Sequence, residues 1–303
     1  MGKPYVVVVG GINIDICGRS EGPLIARDSN PGTIRLSMGG VGRNIAHNLS
    51  LLGMPVRMLT ALGDDEYARI ARSACREAGI DLSRARRVPG GRTSSYLFIA
   101  GPEGDMALAV CDAALAEKVD VPYLQRKLPL LNRAAAVVLD GNLMPEAIEF
   151  LGQNCRAPLF ADPVSVTKGH RLEPVLSRLH TIKPNLLEAL ALTGAQTAEE
   201  AAGCLLDRGL KRVFVSLGER GLLCAEPGRQ LQLPCPPTEL KNATGGGDAM
   251  MAALVTGFLA GWDLEKTGRF ALAVSSLAVE SEETINPALS FQAALKRAEL
   301  KSE

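Results

Sequence analysis

Apolar β-rich runs alternate with segments of helical spacing through most of the chain, and this rhythm constrains the fold more than any other feature. The runs are Tyr5–Val9, Val56–Leu62, Ala135–Asp140, Leu159–Asp162, His180–Lys183 and Arg212–Leu217. Segments with the helical period separate most of them: Asn44–Leu52, Asp65–Ala78, Pro145–Asn154, Leu186–Thr193 and Glu199–Arg208. Strands alternating with helices read as βαβ units around a parallel sheet. Near-continuous apolar strands such as VVVV and AAVVL suit a sheet covered on both faces. The expected fold class is therefore α/β.

Two stretches break the rhythm. Gly11–Met38 is rich in Gly, Pro, Ser and Asp and shows no helical pattern. Arg92–Cys111 reads as a hairpin, SSYLFIA and MALAV joined by Gly101-Pro102-Glu103-Gly104. Both are expected to supply strands that leave the main sheet and form a small lid, over residues 12–38 and 92–111. The last third changes to Ala-rich helices, expected over Gly247–Gly261 and Leu264–Val279, with a third over Pro287–Leu300.

Composition narrows the partners. The 303 residues carry 33 Lys+Arg and 33 Asp+Glu, with 47% hydrophobic residues, so a globular chain is expected. A balanced charge gives no electrostatic reason for nucleic acid or an anionic membrane as the main partner. The seven cysteines are odd in number and none has C-x-x-C spacing, which favours free thiols in a reducing compartment. The apolar run Tyr5–Val9 is too short for a signal peptide, and no stretch approaches a membrane span. A cytoplasmic protein is expected.

The strongest local signal is Asn242-Ala243-Thr244-Gly245-Gly246-Gly247-Asp248, where three glycines lead into a long helix. Backbone N–H groups at a helix start lack internal partners and carry positive potential, and glycine lets a phosphate come close. A carboxylate beside an anion pocket makes chemical sense if a hydroxyl lies between them, giving its proton to Asp248 and attacking phosphorus. The helix dipole is expected to favour ionised Asp248. A flexible turn with a helix-favouring Asp is the plainer alternative.

Weaker signals follow. Gly39-Gly40-Val41-Gly42-Arg43-Asn44 contains G-x-G but fails G-x-G-x-x-G at Ile45, and no P-loop pattern occurs. Asn13 and Asp15 alternate with Ile12 and Ile14 after the first strand, so they share a face and suit a vicinal diol or a simple turn. Asn185 and Glu188 read equally as a capping box or as ligands on one helix face. Ser216–Gly221 reads as a glycine-bounded turn that either passes close to a nucleotide or merely reverses the chain. Gly18–Gly22 matches G-x-S-x-G without the strand–helix context, and His47, His170 and His180 lack zinc spacing.

In their order and spacing these segments resemble the ribokinase-like (PfkB) family of carbohydrate and nucleoside kinases across nearly the whole chain. Within it the similarity is greatest to the branch acting on pseudouridine. That similarity rests on Asp28–Gly32, Gly39–Leu52, Val88–Gly90, Thr93–Tyr96, Asp162–Ser165, His180–Glu188, Gly247–Met251 and Asn286-Pro287. The resemblance implies one three-layer, doubly wound, mostly parallel domain over 1–303 with a β lid that serves as a homodimer clasp. It implies ATP as co-substrate, Mg2+, and a 5′-hydroxyl of a nucleoside as acceptor. Asp248 would be the base, with the N–H groups of Gly245, Gly246 and Gly247 as anion hole. Asn13, Asp15, Gly39, Gly40, Arg43 and Asn44 would hold the sugar. Asn185, Ser216, Gly218, Gly221 and Asn286 would face ATP, and Glu188 would hold Mg2+ through water. For reading the base, Ser29, Asn30, Thr93, Ser95 and Lys168 are the expected residues. Asn242 stands where the family commonly has an Asp that helps bind a monovalent cation, so K+ dependence is in question. The alternatives are another sugar or nucleoside kinase of this family, or a non-catalytic sensor on the same fold.

Overall fold

The first strand sets the architecture, because VVVV presents alternate valines to opposite sides and every one of them is buried. The computed structural model describes residues 4–301. Its strands are β1 (Val6–Val9), β2 (Asn13–Ser20), β3 (Gly32–Gly39), β4 (Val56–Leu59), β5 (Ala61–Leu62), β6 (Ile80–Asp81), β7 (Arg86–Arg87), β8 (Ser95–Ala100), β9 (Met106–Asp112), β10 (Ala136–Asp140), β11 (Leu159–Asp162), β12 (Leu179–Ile182), β13 (Arg212–Ser216), β14 (Leu222–Glu226) and β15 (Arg229–Leu233). Nine form one sheet in the order β15-β14-β13-β12-β11-β10-β1-β4-β6. All neighbours are parallel except β14 and β15, which extend one edge antiparallel.

Alternation divides the interior into two cores. Val6, Val8, Ala136, Val138, Phe160 and Phe214 pack with the helices Val41–Leu51, Gly246–Leu259 and Leu264–Val279. Val7, Val9, Val137, Leu139, Ala161 and Val215 pack on the other side with Pro145–Asn154 and Ala198–Asp207. Each fully buried valine contributes about 1.5–3 kcal/mol. The result is three layers, helices on both faces of a mostly parallel sheet. The chain runs outward from β1 through β4 to β6, and from β10 through β13 the other way. The order therefore switches between β1 and β10, and a crevice opens outside their carboxyl ends.

A separate sheet, in the order β3-β2-β8-β9, is built from the two rhythm-breaking stretches. Register puts Ile16, Leu36, Leu97 and Val110 on one face, and Asp15, Ser37, Tyr96 and Cys111 on the other. The apolar face is open: Ile34 is 76% exposed and Val110 60%.

Some expected boundaries move. Val56–Leu62 breaks at Thr60, whose carbonyl accepts from Arg86 N–H, and β5 pairs with β7 outside the main sheet. The last helix spans only Phe291–Arg297, because Ser290 caps it by accepting from Ala293 N–H. The turn after β13 reverses the chain into β14 and then, at the sheet edge, β15, two strands beyond the apolar runs named above. Among the described residues no helix is long and apolar enough to cross a membrane.

Candidate active site

The crevice is built from strand ends. After β1 the chain turns at Gly10-Gly11, so close to β10 that a Cβ on Gly10 would lie 2.5 Å from Asp140 Cβ. Asp140 ends β10, and its Oδ2 accepts from the N–H of Gly11 (2.9 Å) and Gly42 (3.1 Å). One carboxylate thus fastens the turn after β1 to the start of the Val41–Leu51 helix. Gly40 makes the approach feasible: its φ is 99°, and a Cβ would sit 2.6 Å from Gly11 O. This places Asn44, in the helix's first turn, over the strand ends.

Asp162 ends β11 directly beside Asp140. Val164 donates its N–H to Asp162 Oδ1 (2.9 Å) while holding φ at 67°, a costly conformation for a β-branched residue. Lys183 follows β12, and its Nζ lies 3.1 Å from Asp162 Oδ2, with both side chains 6% exposed. Burial alone would lower the Lys183 pKa, but the Asp162 carboxylate, with Glu188 and Asp248 adding to it, raises it on balance.

The Gly246–Leu259 helix completes the arrangement. Gly245 precedes it at φ 89°, and a Cβ there would meet Thr284 O at 2.3 Å. A Cβ on Gly247 would lie 3.2 Å from Lys183 Nζ, so the ammonium borders the helix's free N–H groups. Asp248 Oδ2 accepts from Asn44 Nδ2 at 2.9 Å. Burial, then the Asp162 carboxylate, pushes Asp248 up to about 8, with Asp140 adding to the rise and Asn44 and Lys183 opposing it. The expectation that the helix dipole keeps Asp248 ionised is corrected: burial and two nearby carboxylates outweigh it. A base so raised is strong but mostly protonated at about pH 7, and reaches half ionisation only near 8.

A cavity of about 480 Å3 opens beside the same helix start, lined by Ser216, Gly218, Gly221, Gly246 and Gly247 with Met250 and Leu240 as apolar wall. Its size suits a nucleotide. Asn185 and Glu188 form a full capping box: Asn185 Oδ1 accepts from Glu188 N–H, and Glu188 Oε2 from Asn185 N–H, each at 2.9 Å. The Glu188 Oε1 oxygen makes no hydrogen bond among the described residues, so capping leaves it open to a ligand. Burial raises the Glu188 pKa, against the capping bond and Lys183.

On the sugar side, Asn13 Nδ2 donates to Asp15 Oδ1. Burial raises Asp15 to about 6, opposed by Asn13 and Arg43. Gly39 lies against Asp15, where a Cβ would overlap the carboxylate. Lys168 Nζ donates to Asn142 Oδ1, and Asn142 in turn donates to Asp140 Oδ1. Ser29 is exposed.

Five expected residues are placed otherwise. Thr93 is 1% exposed; its hydroxyl donates to Asp65 Oδ1 (2.6 Å) and accepts from Gly63 N–H (3.1 Å), so it is spent inside the domain. Ser95 pairs with Ile14 and therefore lies on the sheet face opposite Asp15, whose neighbour is Tyr96. Asn30 folds its own loop, bonding Ile25 N–H, Ile25 O and Asp28 O. Asn286 is outside the nucleotide cavity; it donates to Leu277 O (2.7 Å) and accepts from Ala288 N–H (2.9 Å). Arg43 is buried and donates to Met38 O and Asn44 Oδ1 rather than lining the crevice. Conversely, Asp140, Asp162, Lys183 and Tyr96 went unnoticed as site residues. The signal for three of them was an apolar strand ending in a charge: VVLD, LFAD, TIK.

An anion pocket at a helix start, with a carboxylate in that helix's first turn, is the arrangement of a kinase that phosphorylates a hydroxyl. The family model for pfkB family carbohydrate kinases matches residues 3–290, and the chain belongs to that family. It is 37% identical over 296 residues to pseudouridine kinase of Escherichia coli K12, covering 95% of each. It is 38% identical over 300 residues to the uncharacterized sugar kinase YeiI of the same organism, covering 97% of this chain and 83% of that one. A putative sugar kinase from Clostridium perfringens superposes with a TM-score of 0.89 at 28% identity, over 99% of this chain and 96% of that one.

Proposed function

We propose that this kinase transfers the terminal phosphoryl group of ATP to the 5′-hydroxyl of pseudouridine, giving pseudouridine 5′-phosphate. The observation that carries this reading is the 37% identity to pseudouridine kinase over 95% of both chains. The near-equal similarity to YeiI supports a second reading, a related sugar or nucleoside as acceptor.

In this reading the four-stranded sheet closes as a lid over the sugar and excludes water that would otherwise hydrolyse ATP. Asn13 and Asp15 hold the ribose hydroxyls, and Asn44 steadies the Asp248 carboxylate that receives the 5′-hydroxyl proton. The migrating phosphoryl group meets the N–H groups of Gly246 and Gly247 and the Lys183 ammonium. Asp248 accepts the proton only when ionised, so kcat/KM should climb about tenfold per pH unit and level above about 8. A flat profile across about two units below that value would contradict the assignment.

Magnesium fits the residues present. Glu188 Oε1 is available, and Mg2+ is commonly held by one or two carboxylates, water and phosphates. When bound it neutralises developing phosphate charge. A monovalent cation fits less well. Asn242 donates to Glu282 O (3.0 Å) and accepts from Thr244 N–H (2.9 Å), so a neutral amide already joins the two loops there. Turnover should stay within about twofold when KCl is replaced by choline chloride at equal ionic strength; a tenfold loss would show that a cation is required.

The open apolar face of the small sheet supports a homodimer through the lid. The experiment that tests the substrate is a coupled ADP-release assay with pseudouridine, uridine and ribose, with the product's phosphate position read by NMR. Pseudouridine should give the highest kcat/KM and a 5′-ester. A preference for uridine or ribose would replace this reading with the second.

A further inference from the structure

Arg43 is a buried guanidinium, 6% exposed, that makes no ion pair among the described residues and leaves its Nε without a partner. Such burial is costly and persists where the group serves the site. Its surroundings are the Asp15 carboxylate, the Cys75 thiol and the His47 imidazole, which burial and then Arg43 push down to about 4 and so hold neutral. Its two hydrogen bonds run from Nη1 to Met38 O and to Asn44 Oδ1, each 3.2 Å. Asn44 Nδ2 in turn donates to Asp248.

We propose that Arg43 is a positioning residue for phosphoryl transfer, fixing the Asn44 amide so that its NH2 group, and not its carbonyl, faces Asp248. A guanidinium only donates and an ionised carboxylate only accepts, so an amide between them has a single consistent orientation. Without the Arg43 donor the amide can turn its oxygen toward Asp248, which adds repulsion where the reaction needs an aligned base. The inference rests on Asp248 being the base. The charged groups around Asp248 are Asp162 and Asp140, which raise its pKa, and Lys183, which lowers it.

The test uses Arg43→Lys, which keeps the charge but loses the fork, and Arg43→Met, which removes a buried charge and so should fold. Both should lower kcat about ten- to a hundredfold, leave KM for ATP unchanged and move the kcat/KM limb above about 8. Asn44→Ala should give the same shift, and Arg43→Lys combined with Asn44→Ala should be no worse than Asn44→Ala alone. Wild-type kcat and limb in Arg43→Lys, or losses that multiply in the double variant, would overturn the inference. Wild-type turnover by Asp248→Asn would instead remove the assignment of the base, a distinguishable failure.

Discussion

Asp248→Asn is expected to lower kcat by about two to four orders of magnitude while nucleoside affinity stays close to wild type. The substitution keeps shape and leaves an amide oxygen for the Asn44 NH2 group that now bonds Oδ2 at 2.9 Å. What it removes is the acceptor for the hydroxyl proton. Stability should move the other way. The folded-state pKa of about 8 lies above the ordinary value of 3.8, so the folded protein keeps a proton that the unfolded chain releases. Wild-type stability therefore declines as pH rises through that window. The variant has no such penalty, and its Tm should exceed wild type near pH 8 and converge with it near pH 4. Equal turnover of the two proteins, or a Tm difference independent of pH, would count against the base and its environment respectively. A gain in stability with a loss of rate is what a destabilised functional group produces.

Lys183→Met should be the most destabilising single change at the site. Lys183 and Asp162 are both 6% exposed, 3.1 Å apart. Removing the ammonium leaves a buried carboxylate next to Asp140 and Asp248, and breaking such a pair costs about 3–5 kcal/mol. The sign in the native protein follows from its raised pKa. The pair stabilises fully below the ordinary lysine value and is lost only as pH rises through the higher folded value. Urea unfolding at neutral pH should show the deficit for Lys183→Met, and the gap to wild type should narrow in strongly alkaline solution. Activity should fall as well, because the ammonium borders Gly247 at the anion pocket. A loss under about 1 kcal/mol would mean that water or another group already compensates Asp162.

The contrast between what the sequence disclosed and what it hid has a physical basis. The parallel core was legible because VVVV and AAVVL have no polar residue to expose, and a sheet covered on both faces accommodates them. Asp248 and its glycines were legible because helix start, flexibility and acid are contiguous. Asp140, Asp162 and Lys183 come together only through strand order: each ends a different strand, and only the register of β10 against β11 sets two carboxylates side by side. Thr93, Asn30 and Asn286 misled for the opposite reason. Short polar side chains bond the nearest backbone as readily as a ligand, and here Asp65, Ile25 and Leu277 claim them. Strand β15 was hidden behind the glycine turn at Ser216–Gly221 because RQLQL, at the sheet edge, carries polar residues where the core strands carry valines.

The most direct measurement is a crystal structure with pseudouridine and a non-hydrolysable ATP analogue. The acceptor hydroxyl should lie about 2.6–3.2 Å from Asp248, with the terminal phosphate against the N–H groups of Gly246 and Gly247. An acceptor hydroxyl turned away from Asp248, or a terminal phosphate bound elsewhere than at that helix start, would contradict the proposed transfer.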